Sequence, residues 1–350
     1  MMDTRLPIVI LCVVLLNAPL DAAITNRGPG PDDTPRSVWL DRYTEARQGP
    51  EETDRQVRTF KVDAEGALDL TNISGDVQVT GDAGGEIRLE SVKRVRHRDA
   101  NEAKRLLQEL RVEAVQVGGR VEVRTIYPRR DGSSGERGVS ARVDYIVSVP
   151  SAIVVTVKTI SGNAAITKVN GEVRAETVSG DVAVVGTPNV ALARTVSGNV
   201  TARDVGGEAT LALSTVSGTV SAVGLKARAL ECGSVSGNID LSGVEVERLQ
   251  AKSVSGDIDF GAILVRGGRY EFGSHSGNIR VILGSDSGFE LDASTFSGSV
   301  RSDFPVTLRS QASSSRERRD ANRTIRGVYG DAGAVLSLKT FSGTVVISRK

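Results

Sequence analysis

The chain has 350 residues, enough for one large domain or two ordinary ones, so length alone excludes little. Lys plus Arg total 44 against 43 Asp plus Glu, and a net charge of +1 supplies no general field for nucleic acid, which is not expected as a partner. Aromatics are only 4% while glycines number 38, a composition that suits thin layers of small side chains.

Residues 1–23, MMDTRLPIVILCVVLLNAPLDAA, carry one Arg, an apolar run from Leu6 to Leu16 and small residues at Ala22 and Ala23. This is the layout of a secretory signal peptide. The run falls short of the roughly 20 residues a spanning helix needs, so no transmembrane span is expected in the mature chain. Cys12 follows Leu11 rather than a small residue, which argues against a lipoprotein attachment site. Cleavage near Ala23 leaves Cys232 as the sole cysteine and no internal disulfide. Residues 24–56 are rich in Pro, Gly and charge and are expected to form a flexible linker. The expected location is outside the cytoplasm, periplasmic or at the cell surface.

From residue 57 a repeat takes over. Ser-Gly followed by Asp, Asn, Thr or Ser recurs with Ser at Ser74, Ser161, Ser179, Ser197, Ser217, Ser236, Ser255, Ser276, Ser297 and Ser342; from Ser161 to Ser297 the steps are 18, 18, 20, 19, 19, 21 and 21 residues. A fixed step near 20 with strand-like content signals a solenoid. The expected fold is all-β: a single-stranded parallel β-helix whose crossovers favour the right hand, with a small α/β N-terminal cap insertion. Eight consecutive coils at roughly 4.8 Å spacing would span about 34 Å. Residues 57–79 form the first coil, 80–150 the cap insertion and 151–350 the remaining coils. The insertion holds a strand (EIRLESVKRV), a helix opening on an Asp cap (DANEAKRLLQELRV) whose Leu106, Leu107 and Leu110 pack on neighbouring strands, a hairpin (VEAVQVGGRVEVRTI) and a second strand (ARVDYIVSVP). A basic loop is expected at about 305–327, where six Arg fall between Phe304 and Gly327, and YPRRDGSSGERG is read as a second, solvated basic loop.

Aligned on Ser, the apolar positions of one copy are Leu249, Ala251, Val254, Ile258 and Phe260, and of the next Tyr270, Phe272, His275, Ile279 and Val281. That alignment points the residue before each Ser inward. It leaves Thr159, Thr177, Thr195, Thr215, Ser234, Ser253, Ser274, Thr295 and Thr340 as an outward row of hydroxyls. Ser in the motif belongs to a turn and not to a catalytic centre, since it recurs in every copy while the chain has only His97 and His275. His275 lacks a His or Cys partner for a metal and is expected half-buried against the turn. Lys158, Glu176 and Arg194 form an alternating charge ladder. After the Val or Ile of the motif, successive copies place Asp240, Asp259, Arg280 and Arg301, with Asp257 around the corner. This Asp/Arg cluster is the candidate ligand-binding surface, suited to a hard cation or an acidic sugar. No catalytic residue, cofactor or metal site is assigned.

LTNISGDVQVTG, the VDYIVSVP strand, the TVSGDV and TVSGNV copies and the closing GVYGDAGAVLSLKTFSGTVVI resemble the bacterial putative-adhesin β-strand-repeat family, from about Phe60 to Lys350. The resemblance implies a β-helix on an exported, envelope-associated protein and supplies no catalytic residues. The expected function is non-catalytic binding or scaffolding at the cell envelope, with envelope polysaccharide or envelope proteins as partners. The alternative is a polysaccharide-active enzyme, a lyase or hydrolase, using the Asp/Arg cluster.

Overall fold

The computed structural model describes residues 49–63, 65–128, 140–284, 288–308 and 323–350. Residues 1–48, where the signal peptide and most of the linker are expected, the expected basic loop at 129–138 and the Arg-rich stretch 309–322 lie outside the described residues. Among the described residues no helix is long and apolar enough to cross a membrane.

The N-terminal part comprises β1 (Glu51–Lys61), β2 (Ala67–Ser74), β3 (Val77–Asp82), β4 (Glu86–Arg96), α1 (Ala100–Glu109), β5 (Arg111–Val117), β6 (Arg120–Ile126) and β7 (Ser140–Pro150). Paired strands on either side of each Ser-Gly step follow: β8 (Val154–Ser161) and β9 (Ala164–Thr167), β10 (Val173–Ser179) and β11 (Val182–Val185), β12 (Val190–Arg194) and β13 (Val200–Arg203), β14 (Gly206–Ser217) and β15 (Val220–Val223). Next come β16 (Lys226–Ser236) and β17 (Ile239–Ser242), β18 (Glu245–Ser255) and β19 (Ile258–Ala262), β20 (Arg269–Ser276) and β21 (Ile279–Leu283), β22 (Phe289–Ser297) and β23 (Val300–Ser302). The chain closes with β24 (Thr307–Leu308), β25 (Thr324–Tyr329), β26 (Ala334–Ser342) and β27 (Val345–Arg349).

Each coil gives its first strand to one sheet and its second to another. One sheet runs β24-β25-β22-β26-β20-β18-β16-β14-β12-β10-β8-β2-β6-β5, the other β1-β4-β7-β3-β9-β11-β13-β15-β17-β19-β21-β27-β23. The coil-to-coil pairings are parallel and in register: Ser74 sits opposite Ser161, Ser161 opposite Ser179, and so on up the stack. Strands at this spacing place like residues in columns, so the inward Val182, Val200 and Val220 stack directly on one another.

The consecutive stacking expected from the even spacing holds only to Ser276. The last coil in sequence, β26 and β27, pairs with β20 and β21 on one side and with β22 and β23 on the other. The chain therefore skips one coil height and returns to fill it. The long step from Ser297 to Ser342 gives room for this return: β25 runs back antiparallel along β22, and β24 pairs with β25, covering the sheet edge.

One bonding column and one close approach explain the motif. Asp or Asn after Ser-Gly accepts, through Oδ1, the backbone N–H of the same position one coil on: Asp76 from Asn163, Asn163 from Asp181, Asp181 from Asn199, Asn238 from Asp257 and Asp257 from Asn278. Gly is required because its φ is +147° at Gly198, where a methyl would sit 2.1 Å from the Gly180 carbonyl oxygen.

The cap carries the strand, helix, hairpin and strand in the expected order. Asp99 caps α1 by accepting from Asn101 N–H, Leu106 and Leu110 are buried, and Leu107 packs against the same core. The linker expected through residue 56 ends earlier, because Glu51–Lys61 alternates outward and half-buried residues and pairs along its whole length with β4. Residues 57–61 thus belong to the cap sheet and not to the first coil, and that coil's second strand runs to Asp82. Asn72 replaces the Thr of later coils and donates through Nδ2 to the carbonyls of Val143 (2.8 Å) and Gly75 (3.2 Å), fastening cap to stack.

Candidate binding surface

Strand alternation decides which side chains are offered to a partner. In β18, Leu249, Ala251 and Ser253 are buried while Lys252 and Val254 are exposed. The Thr/Ser column expected outside therefore faces in, and the apolar residue before each Ser, expected inside, faces out. From Thr177 onward the hydroxyls are accommodated because each donates to a Gly carbonyl one coil away: Thr177 to Gly162 (3.1 Å), Thr195 to Gly180 (2.9 Å), Thr215 to Gly198 (2.9 Å) and Thr340 to Gly277 (3.0 Å), whereas the buried Thr159 Oγ1 has no hydrogen-bond partner among the described residues. A buried hydroxyl with a satisfied donor is tolerated, and it saturates a carbonyl at the bend.

The outward column is apolar along the whole stack: Ile73, Ile160, Val178, Val196, Val216, Val235, Val254, then the ring of His275, then Phe341 and Phe296. Nine steps at strand spacing make it about 43 Å long. The intercalated coil completes it, since Phe341 stacks on His275 at 4.9 Å and on Phe296 at 4.7 Å, with ring planes within 8°. Phe296 is 66% exposed. His275 is thus an exposed member of an aromatic stack and not the half-buried turn residue expected.

Two residues before this column lies a second outward row, Lys158, Glu176, Arg194, Ser214, Gly233, Lys252, Gly273, Lys339 and Ser294. Lys158 and Glu176 pair at 3.6 Å. Arg194, Lys252 and Lys339 have no ion pair among the described residues. Where the row carries Ser214, Gly233 and Gly273, the short or absent side chains leave a groove of about 640 Å³ beside Val216, Val235, Val254 and His275. A second groove of about 270 Å³ continues past Ile160, Val178 and Val196.

The Asp/Arg cluster lies on the other sheet and is only partly assembled. Asp240 sits opposite Asp259, and Asp259 opposite Arg280, whose Nη1 lies 3.0 Å from the carboxylate. Partial burial and the Asp259 charge raise the Asp240 pKa from its ordinary value. Asp257 is not part of this patch, because its Oδ1 accepts the Asn278 N–H at 2.7 Å within the turn column. Arg301 is separated from Arg280 by the intercalated strand, where Val346 pairs with both. Among the described residues no group of three or more His, Cys, Asp or Glu is placed to hold a metal ion.

A family model described as Toastrack DUF4097 matches residues 145–348, more than half of the chain. The chain belongs to this family. The Toastrack domain is a bacterial domain of unknown function with a β-solenoid-like fold. Its solved neighbours include a putative lipid binding protein from Parabacteroides distasonis ATCC 8503 (14% identity, 85% of this chain and 97% of that one, TM-score 0.46). A putative adhesin from the same strain (13%, 85% and 97%, TM-score 0.44) and one from Bacteroides fragilis NCTC 9343 (12%, 85% and 97%, TM-score 0.41) are also similar. No curated protein matches the chain. The family match covers the coils that build the apolar column from Ile160 to Phe341 and leaves out most of the N-terminal cap.

Proposed function

We propose that this Toastrack chain is an exported, non-catalytic binding module of the bacterial cell envelope, adhesin-like or scaffolding, which meets its partner through the outward face of the coil stack. The apolar column from Ile73 to Phe296 carries the reading: contiguous large apolar side chains left open to water along an entire face mark an interaction site. Residues 1–23 act in this reading as the export signal, and the segment from residue 24 to the start of β1 as the tether that holds the domain away from its anchorage. The test is a screen of the mature chain against envelope polysaccharides, with crosslinked pulldown from native envelopes in parallel. Capture should be lost in Val216→Asn/Val254→Asn and kept in Asp259→Ala.

The Asp240–Asp259–Arg280 patch supports a second reading, contact with an acidic sugar by a polysaccharide-active enzyme, because it sets two neighbouring carboxyl groups beside a guanidinium that can orient an anionic sugar. Polysaccharide cleavage abolished by Asp259→Ala or Arg280→Ala, with folding intact, would favour it over the binding module.

A further inference from the structure

Resting on the binding-module reading, we propose that the apolar column and its groove hold one long-chain anionic amphiphile, with the acyl chain laid along the coil axis and its carboxylate or phosphate head against Lys252 and Lys339 or Arg194. Three observations converge. The apolar track is one residue wide and about 43 Å long at strand spacing, narrow and long enough to seat an extended hydrocarbon chain along part of its length. Its floor beside Val216, Val235 and Val254 is opened by Gly233 and Gly273, so a chain can sink between side chains. The flanking row carries three cations without ion pairs, and only Glu176 opposes them, already paired with Lys158. This charge distribution selects an anionic head.

Other occupants fit less well. A second copy would set the same excess of cations against itself. A flat anionic bilayer would also meet the next outward row, where Glu231 and Glu271 project, and the Asp76, Asp181 and Asp257 turns on the opposite side. A single amphiphile touches neither.

The test is titration calorimetry of the full mature chain with palmitoyl-lysophosphatidylglycerol and palmitoyl-lysophosphatidylcholine, each below its critical micelle concentration, with flotation on phosphatidylglycerol vesicles in parallel. Saturable one-to-one binding of the anionic lipid is expected. Val235→Asn/Val254→Asn should weaken it at least tenfold, about 1.4 kcal/mol. Lys252→Glu/Lys339→Glu should weaken it at least tenfold while changing the zwitterionic lipid less than threefold. All four positions are at the surface, and an unchanged circular-dichroism midpoint verifies that the variants fold. Equal affinity for both lipids, binding to vesicles only, no binding, or a concentration-dependent dimer abolished by Val235→Asn/Val254→Asn would each overturn the proposal. If the lipids fail but the envelope pulldown succeeds, the binding-module reading survives without this ligand; if both fail, both fall.

Discussion

Exchanging the chemistry of adjacent positions in one coil separates the inward hydroxyl column from the outward apolar one. Thr195 is 0% exposed and its Oγ1 donates to the Gly180 carbonyl at 2.9 Å; Val196 is 36% exposed. Thr195→Val removes the donor to a part-buried carbonyl, costing about 1–3 kcal/mol. The methyl that replaces the hydroxyl returns less than about 1 kcal/mol, so the net loss is about 1–2 kcal/mol. Val196→Thr changes a surface side chain and should stay within about 0.5 kcal/mol. Urea unfolding followed by far-ultraviolet circular dichroism and by a second probe measures both, the second probe being needed because repeat arrays can unfold in stages. A larger loss in Val196→Thr than in Thr195→Val would refute the assigned phase of the strand.

Gly198→Ala should cost at least about 3 kcal/mol or prevent folding, since the added methyl meets a carbonyl at 2.1 Å in a left-handed backbone; an unchanged urea midpoint would contradict the stacking. Burial pushes the Cys232 thiol well above its ordinary range, so it should resist a disulfide reagent at pH 8 in the native chain and react promptly in denaturant. Asp240→Asn should raise the thermal midpoint at pH 7. The folded-state pKa of Asp240 lies above the unfolded value, so its ionisation disfavours the fold once pH exceeds both, and the gain should vanish below the carboxylate range where Asp240 is protonated in either state. A gain that persists at low pH would mean the effect is not electrostatic.

The repeat was legible because Ser, Gly and the following Asp or Asn each answer a backbone demand that recurs at every coil: the bend, the close approach to the Gly below, and the N–H one coil away. The inward and outward phase of the strand before each Ser is one residue off the expectation. Hydrophobicity suggested that Val254 belongs inside with Ile258, whereas the period of two running from Leu249 through Ala251 puts Ser253 inside and Val254 out. The signal was the parity of the strand, masked because a hydroxyl can be buried where a Gly carbonyl awaits it. The exposed Phe296 and Phe341 were present in the same motif position and carry the same message. The intercalated last coil was not legible, since which coil edge Ala334–Ser342 joins depends on a return path that local spacing does not encode. That path is what parts Arg280 from Arg301.

Cysteine accessibility tests the central claim most directly: single cysteines at Thr177, Val178, Thr215, Val216, Ser253 and Val254, probed with a polar maleimide, with buried Cys232 as internal reference. The account predicts rapid labelling at Val178, Val216 and Val254 and protection at their three neighbours. Labelling of Thr177, Thr215 and Ser253 with protection of the Val positions would contradict it.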